Sequence, residues 1–353
     1  MQIPAFRFIV CGNGFGHLRR VLKVGASLHA MNGHCRIYVE CKSTNLSRIA
    51  KDPEVASILE SEFISFGHLS ADLAPEYAQH TSYFAFEEWL SVFDAPRKGE
   101  LVILDNEAIL LQKFPEAVLM GSFLWSDVIE SKKWASLSAY IAAERAVLAH
   151  RKPYMLGLED MAMDGVRRHT RFVPLPWFVQ REEGLEAEVK TDILLTMGGS
   201  GKEKEFLSLP FLSLLEEKAD MVFTDARLGL MLQGKFGVFD FSSTAFSRTK
   251  LVIGRPGIGI LTECVQYGIP IACVYEKDNA EMVHNAQCVE KLGIGIDLMS
   301  RDESQHAGHI ISLMNSESTE QHAGFGRIQY YGANAAAQWL MNKWEEENNK
   351  NIS

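Results

Sequence analysis

The chain alternates between two periods. Short apolar runs bounded by glycine are followed by longer segments whose apolar residues recur every three or four positions. "FRFIVCG" reads as a buried strand. The next segment, "HLRRVLKVGASLHAM", sets Leu18, Val21, Leu22, Ala26 and Leu28 along one helical stripe. "CRIYVEC" and the weaker "EFISFG" read as strands, "YFAFEEWLSVFDA" as a helix and "ELVILD" as a strand. "AILLQKF" is a short helix, "EAVLMGS" a strand and "SLSAYIAAERAVLAH" a long helix. Repetition of this kind predicts an α/β fold with a parallel sheet covered on both faces.

The alternation breaks at "RFVPLPWFVQREEGLEAEVK", where prolines 174 and 176 precede a charged stretch. This reads as a linker. The pattern then restarts. "TDILLTMGG", "ADMVFTD", "KFGVFDF", "TKLVIGRPG", "IPIACVY" and "GIGIDL" read as strands. "GILTECVQYG" and "NAEMVHNAQCVEKLG" read as helices, and another of mixed polarity follows "GIGIDL". The last helix, "GANAAAQWLMNKWEEE", has no strand after it and is free to cross back onto the first domain. A length of 353 residues suits two domains. The expected boundaries are 1–175, 190–330 and a crossing helix with its tail at 331–353. Two similar α/β domains in tandem predict a cleft between them, with ligands outside the carboxyl ends of the strands.

Charge and cysteine usage narrow the partners. A net charge of -10 argues against nucleic acid or an anionic membrane as the main partner. The six cysteines form no CxxC pair and read as buried thiols in a reducing compartment. No leader is visible, and no run approaches the roughly 20 apolar residues of a membrane span. The expected location is therefore cytoplasmic.

Four turns carry the candidate chemistry. In "CGNGFGHLRR" a strand runs into Gly12, Gly14 and Gly16, then His17, then a helix. Glycines let a ligand approach the backbone, and a helix start presents free N–H groups. It also disfavours an imidazolium, leaving the neutral ring a general base needs. Equally, the ring could simply pack the turn. The spacing is not the GxGxxG of a dinucleotide fold, and Glu40 is the one acidic candidate ending the second strand. "TMGGSGKEKE" places Gly198, Gly199, Ser200, Gly201 and Lys202 after a strand, able to cradle a diphosphate without being a P-loop. "GRPGIGILTECVQYGIP" offers Arg255, Gly257, Gly259, Thr262 and Glu263. There Glu263 either complements the helix dipole or accepts hydrogen bonds from a ribose diol. In "YEKDNAEMVHNAQ", Asp278, Asn279 and Glu281 open the next helix, with Asp278 as the expected cap if they are only structural.

These motifs resemble the GT-B nucleotide-sugar glycosyltransferases. The likeness is to the branch of the peptidoglycan N-acetylglucosaminyltransferase and the UDP-sugar hydrolase of pseudaminic acid synthesis. "GFGHLRR" is similar to that hydrolase's GFGHxxR loop, which implies a catalytic role for His17 and, more loosely, Arg20. "GRPGIGILTECVQYGIPI" resembles the donor-site signature, in which the glutamate holds the ribose; this implies Glu263. "ELVILDNEAIL" resembles a strand end of the first domain and points to Asp105. "LLTMGGSGK" resembles the first glycine turn of the donor domain, and "HNAQCVEKLGIGIDL" the helix and strand after the signature. Arg255 and Pro256 stand where many members have small residues, and "DNAEMVHNA" departs from the peptidoglycan enzyme's Gln-rich helix, so the sugar is not transferable. The resemblance implies two Rossmann-like domains with Asp278, Asn279 and Glu281 toward the donor sugar.

The expected function is a metal-independent glycosyltransferase without a cofactor, using a nucleotide-sugar donor, most often UDP-linked in this branch. Leaving-group charge would fall on the glycine turns, with Lys202 or Arg255 as a cation. His17 and Asp105 are the candidate bases. Two alternatives stay open: a nucleotide-sugar hydrolase in which His17 activates water, and an inactive sensor or scaffold. The acceptor is unassigned among small molecules, glycans and lipid-linked compounds. A basic stretch from Arg145 to Arg171 reads as a solvated face or an anion contact, and "SYFAFEEWL" as a core helix or an acceptor groove.

Overall fold

The computed structural model describes residues 2–12, 15–50, 53–69, 90–180, 190–197, 211–315 and 324–350. Two compact units divide the chain, Met1–Phe178 with Tyr331–Ser353, and Val179–Tyr330.

The first unit is built on a parallel sheet of seven strands: β1 (Ala5–Val10), β2 (Arg36–Cys41), β3 (Ile64–His68), β4 (Glu100–Asp105), β5 (Val118–Met120), β6 (Tyr154–Leu158) and β7 (Arg171–Leu175). Their order is β3-β2-β1-β4-β5-β6-β7. β1 and β4 pair side by side, Val10 opposite Asp105. All but the first residue of each is buried, as expected where helices cover both faces. Each fully buried Phe, Ile or Leu there contributes on the order of 1.5–3 kcal/mol. Of the stripe foreseen at Leu18, Val21, Leu22, Ala26 and Leu28, all but the half-buried Ala26 are fully buried on the helix Phe15–Met31. The helix foreseen at 83–95 lies, as far as residue 89, outside the described residues.

One expectation fails here. The stretch expected to open the linker forms β7, the sheet edge, paired to β6 from Arg171 to Leu175. Pro174 has no N–H to give, which an edge strand tolerates because one of its sides is unpaired. The segments 43–49, 53–59 and 125–131, also unforeseen, are short helices. The terminal helix Gly332–Lys350 packs on Phe15–Met31, with Ser27 Oγ donating to Asn334 Oδ1 at 3.2 Å. Trp344 Nε1 donates to the carbonyl of Gly99 at 2.7 Å.

The second unit repeats the plan. Its strands are β8 (Asp192–Thr196), β9 (Val222–Thr224), β10 (Gly237–Val238), β11 (Thr249–Gly254), β12 (Ile271–Cys273) and β13 (Gly295–Asp297), ordered β10-β9-β8-β11-β12-β13 and parallel throughout. Ile193, Leu195, Val222, Leu251, Ile253 and Ala272 share one core. In both sheets the strand order reverses beside the first strand, at β1/β4 and at β8/β11. Loops that diverge there open a crevice at the carboxyl ends, where α/β sheets bind ligands.

Candidate active site

The β1/β4 crevice of the first unit holds three charged side chains. The chain leaves β1 through Cys11 and Gly12, and Asn45 Nδ2 braces this exit by donating to the Gly12 carbonyl at 3.1 Å. It re-enters order as the helix Phe15–Met31, with Gly16 and His17 on the first turn; Gly14 lies outside the described residues. Asp105 is the last residue of β4 and is fully buried. His17 Nδ1 meets Asp105 Oδ1 at 2.5 Å. Arg20, one helical turn on from His17, faces the same carboxylate. Its Nη2 donates to Oδ1 at 2.9 Å and Oδ2 at 2.8 Å, and its Nε to Oδ2 at 3.2 Å.

The electrostatics decide the protonation of Asp105. Burial is the largest single influence and pushes its pKa up; the Arg20 and His17 charges and hydrogen bonds together outweigh it, holding the carboxyl below its ordinary value. An ionised carboxylate only accepts, so His17 Nδ1 carries the hydrogen. In the neutral ring Nε2 keeps its lone pair, the arrangement a general base requires.

Behind this group lies a layer not singled out from the sequence. Asn106 has a left-handed backbone, φ 56°, which asparagine tolerates better than most residues. Its Nδ2 donates to the Phe123 carbonyl at 3.0 Å, and its Oδ1 accepts from Arg20 Nη2 at 3.4 Å. Glu107 and Glu144 are both fully buried. Burial raises the Glu107 carboxyl well above its ordinary range, and the Cys11 thiol is the group that counters this. Glu144 accepts from Ser126 N at 2.7 Å and from the Tyr140 hydroxyl at 3.2 Å, and burial raises it to about 7. A charged residue inside the apolar run "YIAAERAVLA" was the available signal. Glu40, the candidate for a dinucleotide acid, is held in the sheet by Arg7 Nε at 3.0 Å and Nη2 at 2.6 Å.

In the second unit, Gly198, Gly199, Ser200 and Lys202 lie outside the described residues. The strand feeding them is braced by Asp225: Oδ2 accepts from Thr196 Oγ1 at 3.1 Å and Met197 N at 3.4 Å, and Oδ1 from Leu228 N at 2.9 Å. Gly254 ends β11 so close to β8 that a Cβ would stand 2.2 Å from the Thr196 carbonyl oxygen. Beyond it, Gly257 is the N-cap of the helix Ile258–Tyr267, with no side chain to offer as a cap. Leu261 N bonds back to Gly257 O, so the N–H groups of Ile258, Gly259 and Ile260 have no helical acceptor of their own. No described residue lies within 4 Å of where a Gly257 Cβ would stand.

The remaining residues sort by their partners. Arg255 grips the buried Glu276 through Nε at 3.0 Å and Nη2 at 2.7 Å, so its charge is already matched. Asn279 joins them by donating to Glu276 Oε1 at 3.2 Å. It is Asn279, not Asp278, that caps the helix Ala280–Leu292, accepting from Glu281 N and Met282 N. Asp278 is exposed and Glu281 half-buried. Thr262 Oγ1 donates to the Ile258 carbonyl at 2.7 Å, and Glu263 is half-buried one position on. Thus Arg255, Gly257, Gly259 and Asn279 gather around the carboxyl end of β11, in the unit that does not contain His17 and Asp105.

No family model matches the sequence, and no curated protein matches it. Solved structures do match. The spinosyn forosaminyltransferase SpnP aligns over 98% of this chain and 100% of its own, with a TM-score of 0.60 and 11% identity. LpCGTa, in complex with UDP, aligns over 97% of this chain and 99% of its own, with a TM-score of 0.59 and 13% identity. The glycosyltransferase VinC, in complex with dTDP, aligns over 97% and 100%, with a TM-score of 0.56 and 12% identity. With its two parallel-sheet α/β domains, the chain has the GT-B fold of these glycosyltransferases.

Proposed function

We propose that this chain transfers a sugar from a nucleoside-diphosphate donor, UDP-linked by preference, to a hydroxyl acceptor, with neither metal nor cofactor. The observation that carries the proposal is the short His17–Asp105 contact at the carboxyl ends of β1 and β4. His17 Nε2 takes the acceptor's proton while the acceptor oxygen bonds to the anomeric carbon. The bond from that carbon to the diphosphate oxygen breaks, and its electron pair leaves with the diphosphate. Asp105 keeps the ring oriented and stabilises the imidazolium as it forms. Arg20 keeps Asp105 ionised, so the proton stays on His17.

The second unit supplies the anion site in this reading. The uncapped N–H groups at Ile258, Gly259 and Ile260 meet the leaving charge. Arg255 acts through Glu276 to fix the turn rather than as an isolated cation. Glu263 and Thr262 take the ribose side, and Asp278, Asn279 and Glu281 the sugar side. UDP in one structural neighbour and dTDP in another set the two bases worth testing first.

The GFGH loop serves a hydrolase reading equally, with the same histidine activating water. One experiment separates the outcomes. Sugar-nucleotide turnover is followed as nucleoside-diphosphate release, with and without candidate acceptors, in wild type and His17→Ala. Acceptor-dependent release lost in His17→Ala supports transfer. Acceptor-independent release lost in the variant means hydrolysis. Release that survives His17→Ala overturns the assignment of the base, and no release or binding of any nucleotide leaves a scaffold.

A further inference from the structure

The first sheet has a second concavity at its other end. A cavity of 1120 Å³ opens where β1, β2, β3 and β4 begin, so it lies at the amino ends of the strands that carry His17 and Asp105 at their carboxyl ends. Its volume lies just above the usual range of a small-molecule site, about 300–1000 Å³. Two kinds of group line it. Arg36, Arg97 and Lys98 contribute three cations, and among the described residues none has a carboxylate within ion-pair distance. Of the two acids in the lining, Glu100 already faces Arg7 at 3.9 Å and accepts from Arg97 N at 3.0 Å, which leaves Glu62 alone against three positive charges. On a chain of net charge -10 this local excess of cations stands out.

Flat rings form the rest. His29 and Phe63 stack with centroids 4.1 Å apart at 6°. The Arg97 guanidinium sits over the Tyr38 ring at 6.0 Å, and His29 Nδ1 is buried without a hydrogen-bond partner. Rings present apolar faces to a planar ligand, and cations beside them fix an anionic group.

We propose that this cavity is a second binding site, for a small molecule that joins a flat aromatic body to a phosphate or carboxylate. The Tyr38 ring takes the body, and Arg36, two residues before it on the same face of β2, takes the anion with Arg97 and Lys98. Since reacting ligands of such sheets bind at the carboxyl ends, this occupant is an effector rather than a substrate. The site does not rest on the glycosyl-transfer reading.

Calorimetric titration of the full chain tests it, with 1-naphthyl phosphate and 1-naphthoate as the probes and no nucleotide present. The phosphate arm against the carboxylate arm tells which anion is preferred. At least one probe binds, the neutral 1-naphthalenemethanol binds at least tenfold more weakly, and the double variant Arg36→Glu/Arg97→Glu weakens the charged probe at least tenfold. All three cations are exposed, so the variants retain the fold, checked by an unchanged melting temperature. Lys98→Glu alone gives a smaller loss in the same direction. Equal affinity for the neutral and charged probes, unchanged affinity in both charge-reversal variants, or no binding up to millimolar concentration overturns the proposal.

Discussion

At the scale of single residues the candidate site is an ion-pair problem. Asp105 has no exposure to water, and Arg20 keeps only 8% of its own, so each charge depends on the other. Asp105→Asn leaves the guanidinium buried without a counter-charge, a loss on the order of 3–5 kcal/mol that urea unfolding reads directly. The pH dependence has a fixed sign. The folded-state pKa of Asp105 lies below its ordinary 3.8, so its stabilisation is complete above that value and disappears as pH falls through the folded one. Wild type therefore loses stability below about pH 4 more steeply than Asp105→Asn. His17→Ala touches catalysis instead. Losing a general base lowers kcat by about 10²–10⁴-fold while nucleotide affinity, read separately by calorimetry, holds. A loop with three glycines and a histidine is legible because its residue types are unusual together. The contact with Asp105, 88 positions on, is not, because pairing β1 with β4 is a choice of topology.

At the scale of elements, backbone contacts and buried carboxyls carry the argument. Gly121 follows β5, and a Cβ there would stand 2.0 Å from Asn106 Oδ1. Gly121→Ala must push Asn106 off the Phe123 carbonyl and away from Arg20. A cost of about 1–3 kcal/mol follows in chemical unfolding, with kcat falling as the Arg20–Asp105 geometry loosens. Glu144 belongs to the helix Ser138–Arg151, and its carboxyl rises from an ordinary 4.5 to about 7. Between those values the folded chain holds a proton that the unfolded chain has released. This group therefore lowers stability as pH rises from 4.5 to 7 and adds no further slope above. Glu144→Gln removes that slope. Its amide oxygen can still accept from Ser126 N, and its NH₂ can donate to the Tyr140 oxygen. Relative to wild type it gains up to about 3 kcal/mol between pH 5 and pH 8, seen by melting both proteins across that range. The strands and helices were legible wherever periodicity was long or glycine bounded it. β6 was not foreseen, and β7 was not legible because two prolines in "RFVPLPW" argue for a linker unless one knows that the strand is an edge. Arg255 was legible as a cation, but its partner Glu276 was not, since adjacent strand ends bring the two together.

For the whole molecule, each of two compact units carries its own sheet and its own candidate residues. Alternating periods reveal that there are two sheets. Strand order is not written in any one segment, yet it puts Gly257 and His17 beside reversal points. The terminal helix buries Ala333, Ala336, Ala337, Leu340, Met341 and Trp344, and its partners belong to the first unit. Removing residues 332–353 exposes the face of Phe15–Met31 that it covers and leaves the Gly99 carbonyl without the Trp344 donor. Amide hydrogen exchange then rises across β1 and Phe15–Met31, while the second unit keeps its protection. UDP acts on the other unit. At 100 times its Kd it adds about 2.7 kcal/mol to the state that binds it, an exchange slowing of about 100-fold for amides that exchange only when the site opens. The slowing is expected across β11 and Ile258–Tyr267 and is abolished by Glu263→Ala. Protection by UDP that appears only around β1 and β4 would place the nucleotide on the first unit and remove the basis for reading the helix at Gly257 as its anion site.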